Sequence, residues 1–244
     1  MLRIAVAQFN ATVGDLTGNV ERIIACAAEA KARGAQVLLT PELALCGYPP
    51  EDLLLRPDFY RACSRALDDL AGRVEGIAPG LAIVVGHPEE HAGRRYNAAT
   101  VIENGHKKAV YRKIRLPNYE VFDEMRYFDA GSEACVVTLG GVRCGINICA
   151  DIWEAGAAEL AHGAGAELLL VLNASPCHLE KHQQRAQVLG ERIAVIGIPA
   201  IYANLVGGQD ELVFDGASFA LDAHGHCRMR LPQFAGALGI VDYD

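Results

Sequence analysis

Three residues of this sequence stand where an apolar run gives way to a loop, and their side chains together can open an amide. Glu42 follows the run 36–40 in QVLLTPELALCGYPPEDLL. Lys113 closes an alternating run ahead of Pro117 in KKAVYRKIRLPNYEVFDE, and Cys149 follows an apolar strand in VRCGINICADIWE. A thiol with its ordinary pKa of about 8.5 is mostly protonated at neutral pH, so a nucleophilic cysteine needs a base or a cation beside it. A buried carboxylate can take the thiol proton and hand it to leaving ammonia. An ammonium can stabilise the oxyanion of a tetrahedral intermediate, together with a backbone N–H just after the cysteine. Glu42, Lys113 and Cys149 therefore supply a base, an oxyanion donor and a nucleophile.

Each has a plainer reading. Free cysteine is commonly a small core hydrophobe, a glutamate after a strand is commonly a rim charge, and a lysine at a strand end is commonly solvated. Spacing alone does not decide between them. Position adds weight, because ligand crevices of open α/β sheets lie outside the carboxyl ends of strands, where all three residues fall. Cys144 lies five residues before Cys149 on the same run, and the odd offset places it on the opposite face.

The elements that must position these residues alternate between strands and helices. Strand-like runs cover 2–9, 36–40, 81–86, 96–103, 108–114, 136–139, 142–148, 168–172 and 200–205. Several are continuously apolar, as strands covered on both faces should be. The stretch 214–241 alternates and carries the turn signal Asp222-Ala-His-Gly225, which predicts a hairpin. Helical periodicity marks 18–33, where Val20, Ile23, Ile24 and Ala27 form one stripe ahead of a Gly34 stop. Further helices are expected within 58–73, 155–163 and 178–196. Neither a repeat nor a low-complexity linker divides the chain, so one mixed α/β domain over 1–244 is expected.

Composition excludes several classes. The chain has 244 residues, 51% hydrophobic and 21% charged, which is globular rather than disordered. A net charge of −8 with no basic run argues against binding nucleic acid or an anionic membrane surface. The start, MLRIAVAQFNATVGD, reads as a strand rather than a signal peptide, and LLLVL at 168–172 is too short to cross a bilayer. A cytoplasmic protein is expected, with its eight cysteines mostly buried thiols; no C-x-x-C pair suggests zinc. Cys177, His178 and His182 have helical ligand spacing but no evident fourth ligand, and His224 and His226 fall in a turn, so no metal site is expected.

The segments around Glu42, Lys113 and Cys149 resemble the three signature blocks of the nitrilase, or carbon–nitrogen hydrolase, superfamily, and the resemblance runs from LRIAVAQ to GIVDYD. GYPPEDLL at 47–54, LPNYEVFDEMRYFDAG at 116–131, LVLNASP at 170–176 and NLVGGQDELVFDG at 204–216 are most similar to the glutaminase branch that forms the N-terminal half of glutamine-dependent NAD synthetases. The resemblance implies a four-layer α-β-β-α sandwich. It implies Glu42 as base, Lys113 as oxyanion donor, Cys149 as nucleophile, and Glu124 as a second glutamate supporting lysine and base. It also implies that Tyr48, Tyr119 and Ser175 hold or line the pocket for glutamine, and that similar proteins associate into homo-oligomers.

Two departures follow from the same resemblance. The family usually has Cys-Glu-Asp at the nucleophile, whereas this chain has Cys149-Ala150-Asp151. The Ala150 main-chain N–H survives as an oxyanion donor, while any contact from the missing carboxylate is lost. The 244 residues also contain no ATP-binding synthetase half. The glutaminase step needs no cofactor, and ATP and Mg²⁺ are expected only with a synthetase domain acting in cis or in trans to amidate deamido-NAD. A stand-alone amidase for another small amide and a non-catalytic domain that binds a partner synthetase are the competing readings.

Overall fold

Apolar strands interleaved with amphipathic helices bury themselves by covering both faces of a sheet. The computed structural model describes residues 1–119 and 121–244 and shows this arrangement twice. In chain order the strands are β1 (Leu2–Gln8), β2 (Val37–Leu39), β3 (Ala82–His91), β4 (Arg94–Glu103), β5 (His106–Arg112), β6 (Val136–Leu139) and β7 (Val142–Ile148). They continue as β8 (Leu168–Asn173), β9 (Ala200–Asn204), β10 (Val206–Gln209), β11 (Leu212–Asp215), β12 (Phe219–Leu221), β13 (Cys227–Arg230) and β14 (Ala237–Tyr243). One sheet has the order β14-β1-β2-β3-β4-β5, the other β13-β12-β9-β8-β7-β6, and β10–β11 form a separate ribbon. In each six-stranded sheet the central pairs are parallel (β1–β2–β3 and β7–β8–β9) and the flanking pairs antiparallel.

The helices are α1 (Leu16–Ala32), α2 (Pro57–Ile77), α3 (Ala150–Trp153), α4 (Ala157–Gly163) and α5 (Lys181–Ile196). The carboxylate of Asp15 accepts from Gly18 N–H at 2.9 Å to cap α1, and Gly34 at φ +76° follows its end. The expected stripe of Val20, Ile23, Ile24 and Ala27 is buried, and with Leu67, Leu70 and Val74 of α2 it packs on Ala5, Leu38 and Ile83 of the first sheet. Ala158 and Ala161 of α4, with Leu189 and Ile193 of α5, pack on Leu169, Val171 and Tyr202 of the second. The inner faces meet through Ile4, Val6, Leu39 and Val84 from one sheet and Ile146, Ile148, Leu170 and Leu172 from the other. The order of layers is thus α-β-β-α, as the resemblance implied.

Some expectations need correcting. The stretch 214–241 is not one hairpin: β12 and β13 form the hairpin, and β14 then crosses to the other sheet and pairs antiparallel with β1. Alternation alone cannot tell which sheet a strand joins. The β10–β11 ribbon was not expected, because Gly207 and Gly208 dilute its pattern. Helix α2 runs four residues beyond the expected end at residue 73, through Val74 and Glu75 to Ile77. No helix among the described residues is long and apolar enough to cross a membrane.

One glycine decides where the loop after β2 can lie. A methyl group on Gly86 of β3 would sit 2.5 Å from Leu43 N and 2.7 Å from the Pro41 carbonyl oxygen, both backbone atoms that cannot swing aside. The Gly86 carbonyl in turn accepts from Leu45 N–H at 3.0 Å, so the chain around Glu42 lies flat on β3. Gly86→Ala is expected to destabilise the fold by about 1–3 kcal/mol through overpacking. Gly72→Ala, on α2 with nothing within 4 Å, should instead stabilise it by up to ~1 kcal/mol. Urea denaturation midpoints of both variants against the parent check the pair.

Candidate functional site

At one end of the two sheets a lysine ammonium is enclosed by carboxylates. Lys113 stands one residue past β5, its N–H donating to the Asn97 carbonyl at 2.8 Å and its carbonyl accepting from Gly131 at 2.8 Å. Its Nζ donates to Glu42 Oε1 at 2.7 Å and to Glu124 Oε1 at 2.8 Å, with the lysine and Glu42 side chains fully buried. Glu42 reaches in from the loop after β2 and is further held by Asn97 Nδ2 at 2.7 Å and Ala174 N–H at 3.0 Å. Glu124 begins a single 3₁₀ turn, and its Oε1 also accepts from the Tyr48 hydroxyl at 3.2 Å. Its Oε2 is buried without a hydrogen-bond partner among the described residues.

Burial alone would push the Lys113 ammonium down, but Glu124 and Glu42 outweigh it and hold the group above the ordinary lysine range. Burial raises the Glu124 carboxyl to about 7, with Lys113 opposing the shift and Glu42 adding to it. The Cys149 thiol is pushed up by burial first and by Glu42 second, and Lys113 only partly offsets them. Its proton is therefore held until a base takes it.

Cys149 makes the turn between β7 and α3 at φ 42°, ψ −98°. A non-glycine residue at positive φ stores about 1–3 kcal/mol of strain and persists only where its surroundings enforce it. Here Cys149 N–H donates to Leu172 O at 2.8 Å, and the Ala174 N–H that binds Glu42 also favours the thiolate. Ala150 begins α3, so its N–H has no partner one turn back in the helix. The carboxylate of Asp151, fully buried, accepts from Ile114 and Arg115 N–H at 3.1 and 2.8 Å. It also accepts from the Tyr111 hydroxyl at 2.8 Å and Ile148 N–H at 2.9 Å.

A cavity of about 40 Å³ opens on Cys149 and Ala150, and Tyr119, Phe122, Trp153, Ser175 and Lys181 are among its lining residues. Tyr119 is about half exposed and packs edge-on to Phe122. Tyr48 is not in that lining; it stands behind Glu124. Ser175 Oγ accepts from the buried Arg185 Nε at 3.0 Å, while the other guanidinium nitrogens bind Ser175 and Pro176 carbonyls and Asp215 Oδ1 at 2.7–2.8 Å. A larger cavity of about 720 Å³ lies elsewhere, lined among others by Asp222 and His224 of the β12–β13 turn and Tyr243 of β14, and contains none of Glu42, Lys113, Glu124 and Cys149.

The structure thus brings Glu42, Lys113, Glu124 and Cys149 together, with Ala150, Tyr119 and Ser175 on the adjoining cavity. The placing of Cys144 on the opposite face from Cys149 is corrected: β7 ends at Ile148, the turn at positive φ breaks alternation, and both cysteines belong to the layer between the sheets. What separates them is that Cys144 is away from the carboxylates and lysine around Cys149, Glu167 being the charge that acts on it. Asn97, Asp151 and Arg185 were not singled out. An asparagine within the apolar strand YNAATVI, and an arginine in line with Leu189 and Ile193 on the buried stripe of α5, are signals that mark two of them. Among the described residues no group of three or more His, Cys, Asp or Glu is arranged to hold a metal, Cys177, His178 and His182 included.

The carbon–nitrogen hydrolase family pattern matches residues 3–244. The glutamine-dependent NAD(+) synthetase of Xanthomonas campestris is 47% identical over 99% of this chain and 44% of its own length. That of Synechocystis is 40% identical over 100% of this chain and 46% of its own. This chain therefore spans less than half of those relatives. Among solved structures, the glutamine-dependent NAD+ synthetase of Acinetobacter baumannii superposes with a TM-score of 0.94 at 36% identity, over 100% of this chain and 45% of that one. An amidase from Nesterenkonia, solved as a glutamate-to-glutamine mutant after Michael addition of acrylamide at its active-site cysteine, gives 0.88 at 28% identity, over 100% and 94%. With a family match over nearly its whole length and the same fold, this chain belongs to the carbon–nitrogen hydrolases.

Proposed function

We propose that this chain hydrolyses the side-chain carboxamide of glutamine to glutamate and ammonia. The observation that carries the reading is the buried Lys113 held between Glu42 and Glu124 beside the Cys149 thiol. Glutamine as the substrate rests on the relatives. In them the matched part is under half of a glutamine-dependent synthetase, so the ammonia is proposed to feed an ATP-dependent synthetase domain that amidates deamido-NAD. No cofactor enters the hydrolytic step on this chain.

The chemistry follows from the charges. Because Cys149 keeps its proton, attack and deprotonation go together: Sγ adds to the carboxamide carbon as Glu42 takes the thiol proton. Two of the three Lys113 N–H donors bind Glu42 and Glu124, leaving the third for the oxyanion beside the Ala150 N–H. Collapse breaks the C–N bond, and the proton on Glu42 leaves with the amide nitrogen as ammonia. Water then attacks the thioester, Glu42 takes its proton, the C–S bond breaks, and the proton returns to the departing sulfur as glutamate leaves. Tyr119 and Ser175 are proposed to contact the amino-acid end of the substrate.

A second reading, a stand-alone amidase for another small amide, draws on the match to nearly the full length of the Nesterenkonia amidase. Ammonia release from glutamine compared with release from acetamide and propionamide at equal concentration separates the two. Glutamine should be turned over at least tenfold faster, and the reverse order would favour the amidase.

Cys149→Ala is expected to abolish ammonia release, while Cys144→Ala keeps most of it; equal loss in two folded variants would contradict the nucleophile. Glu42→Gln keeps the shape of the site and should lower kcat by roughly two to four orders of magnitude while glutamine still binds, as steady-state kinetics and calorimetry would record. Ala150→Glu, restoring the carboxylate usual in the family, should lower the glutamine KM by about ten- to a hundredfold and leave kcat within a few-fold. A change confined to kcat would place position 150 in transition-state stabilisation instead.

A further inference from the structure

Lys113 and Cys149 sit on different sheets, so no strand ladder sets the distance between them. A carboxylate does. Asp151 Oδ1 accepts from Ile114 and Arg115 N–H, the two residues after Lys113. Its Oδ2 accepts from Ile148 N–H, the residue before Cys149, and from the hydroxyl of Tyr111, two residues before Lys113. Tyr111 is itself buried and receives Asn147 Nδ2 at 3.3 Å, so both flanks of the lysine and the approach to the nucleophile turn are tied to one group. Burial raises the Asp151 carboxyl to about 6 while the Arg115 and Ile148 N–H groups oppose the shift, which leaves it mainly ionised at neutral pH and able to accept all four bonds.

We infer that Asp151 is the positioning residue that fixes the reach from the Lys113 ammonium to the Cys149 thiol, an inference that rests on the roles proposed for those two residues. It touches neither substrate nor reacting atoms. Its effect is on geometry: a misplacement of about 1 Å between reacting groups can cost about a hundredfold in rate. It also explains why the turn at Cys149 holds a positive φ: Ile148 N–H is held by a carboxylate belonging to the helix that the turn leads into.

Asp151→Asn isolates this role. The amide has nearly the carboxylate's shape, but its NH₂ must replace one oxygen, and each oxygen faces at least one backbone N–H. In either orientation one donor then faces another and the clamp loosens. Two measurements on the folded variant read the result. In steady-state kinetics kcat should fall by about a hundredfold with KM changed by no more than about threefold. In a substrate-independent assay, iodoacetamide labelling of Cys149 followed by peptide mass should slow by at least about tenfold, with the exposed Cys227 as internal reference labelling at the parent rate. Should Asp151→Asn fail to fold, Tyr111→Phe removes one of the four bonds and should lower kcat by about three- to tenfold at constant KM.

A merely structural aspartate would lower the melting temperature but leave kcat and Cys149 labelling near the parent values in the folded protein. That result overturns the inference while leaving the proposed reaction intact. If Cys149→Ala in the otherwise unchanged parent keeps releasing ammonia, the nucleophile assignment fails, and the positioning role fails with it.

Discussion

A lysine ammonium with no access to water must be surrounded, and the rest of this molecule is arranged around that requirement. Removing such a charge from solvent costs several kcal/mol even after relaxation, and only well-placed counter-charges and hydrogen bonds offset it. Lys113 obtains two carboxylates from chain segments far apart in sequence, Glu42 being 71 residues away and Glu124 11. Those carboxylates need donors of their own, and Asn97, Ala174 and Tyr48 supply them. The demand passes outward shell by shell, and it brings the loops after β2, β5, β7 and β8 to one end of the sandwich. Burial is the main reason the Glu124 carboxyl and the Cys149 thiol are raised, with Glu42 adding to both shifts and Lys113 opposing them. In the proposed reaction the raised thiol makes Cys149 a nucleophile only in concert with a base, unlike a cysteine paired with a histidinium.

Much of this was legible from the residues, and the limits are physical. Glu42 and Cys149 were recognisable because each follows a run apolar enough to be a buried strand, and Lys113 because it closes an alternating one. That they meet in space came from the family resemblance, since sequence separation says nothing about convergence across two sheets. Asn97 gave a local sign, an amide within an apolar strand, but its partner Glu42 lies 55 residues away; Asp151 gave none, because most of its partners lie 36–40 residues away. Arg185 gave a local sign, a charge on an otherwise apolar stripe, but its partners Ser175 and Asp215 lie on other elements. The face of Cys149 was misread because strand alternation was carried one residue past the end of β7, into a turn whose positive φ redirects the side chain. The path of β14 was beyond reach for a related reason: an alternating strand states which of its faces is apolar, not which sheet it joins.

The fold alone does not choose a substrate, because relatives that share it are called amidase in one case and glutamine-dependent synthetase in another. What they share with this chain is the sandwich, so a substrate has to be chosen by the groups that line the cavity over Cys149. In this chain Ala150, Tyr119 and Ser175 are among those groups, and under the proposed function Tyr119 and Ser175 contact the substrate with no carboxylate at position 150. In the proposed reaction residue 150 contributes to bond making and breaking only through its backbone N–H, so its side chain would bear on binding rather than on chemistry.

The central claim is that ammonia is released through a thioester on Cys149. It is tested most directly by quenching the protein in acid during steady-state turnover of glutamine and mapping its cysteine peptides by mass spectrometry. The proposed chemistry predicts a γ-glutamyl group on the Cys149 peptide that disappears once substrate is exhausted. Ammonia release with Cys149 unmodified throughout, or with the acyl group on another cysteine, would contradict it.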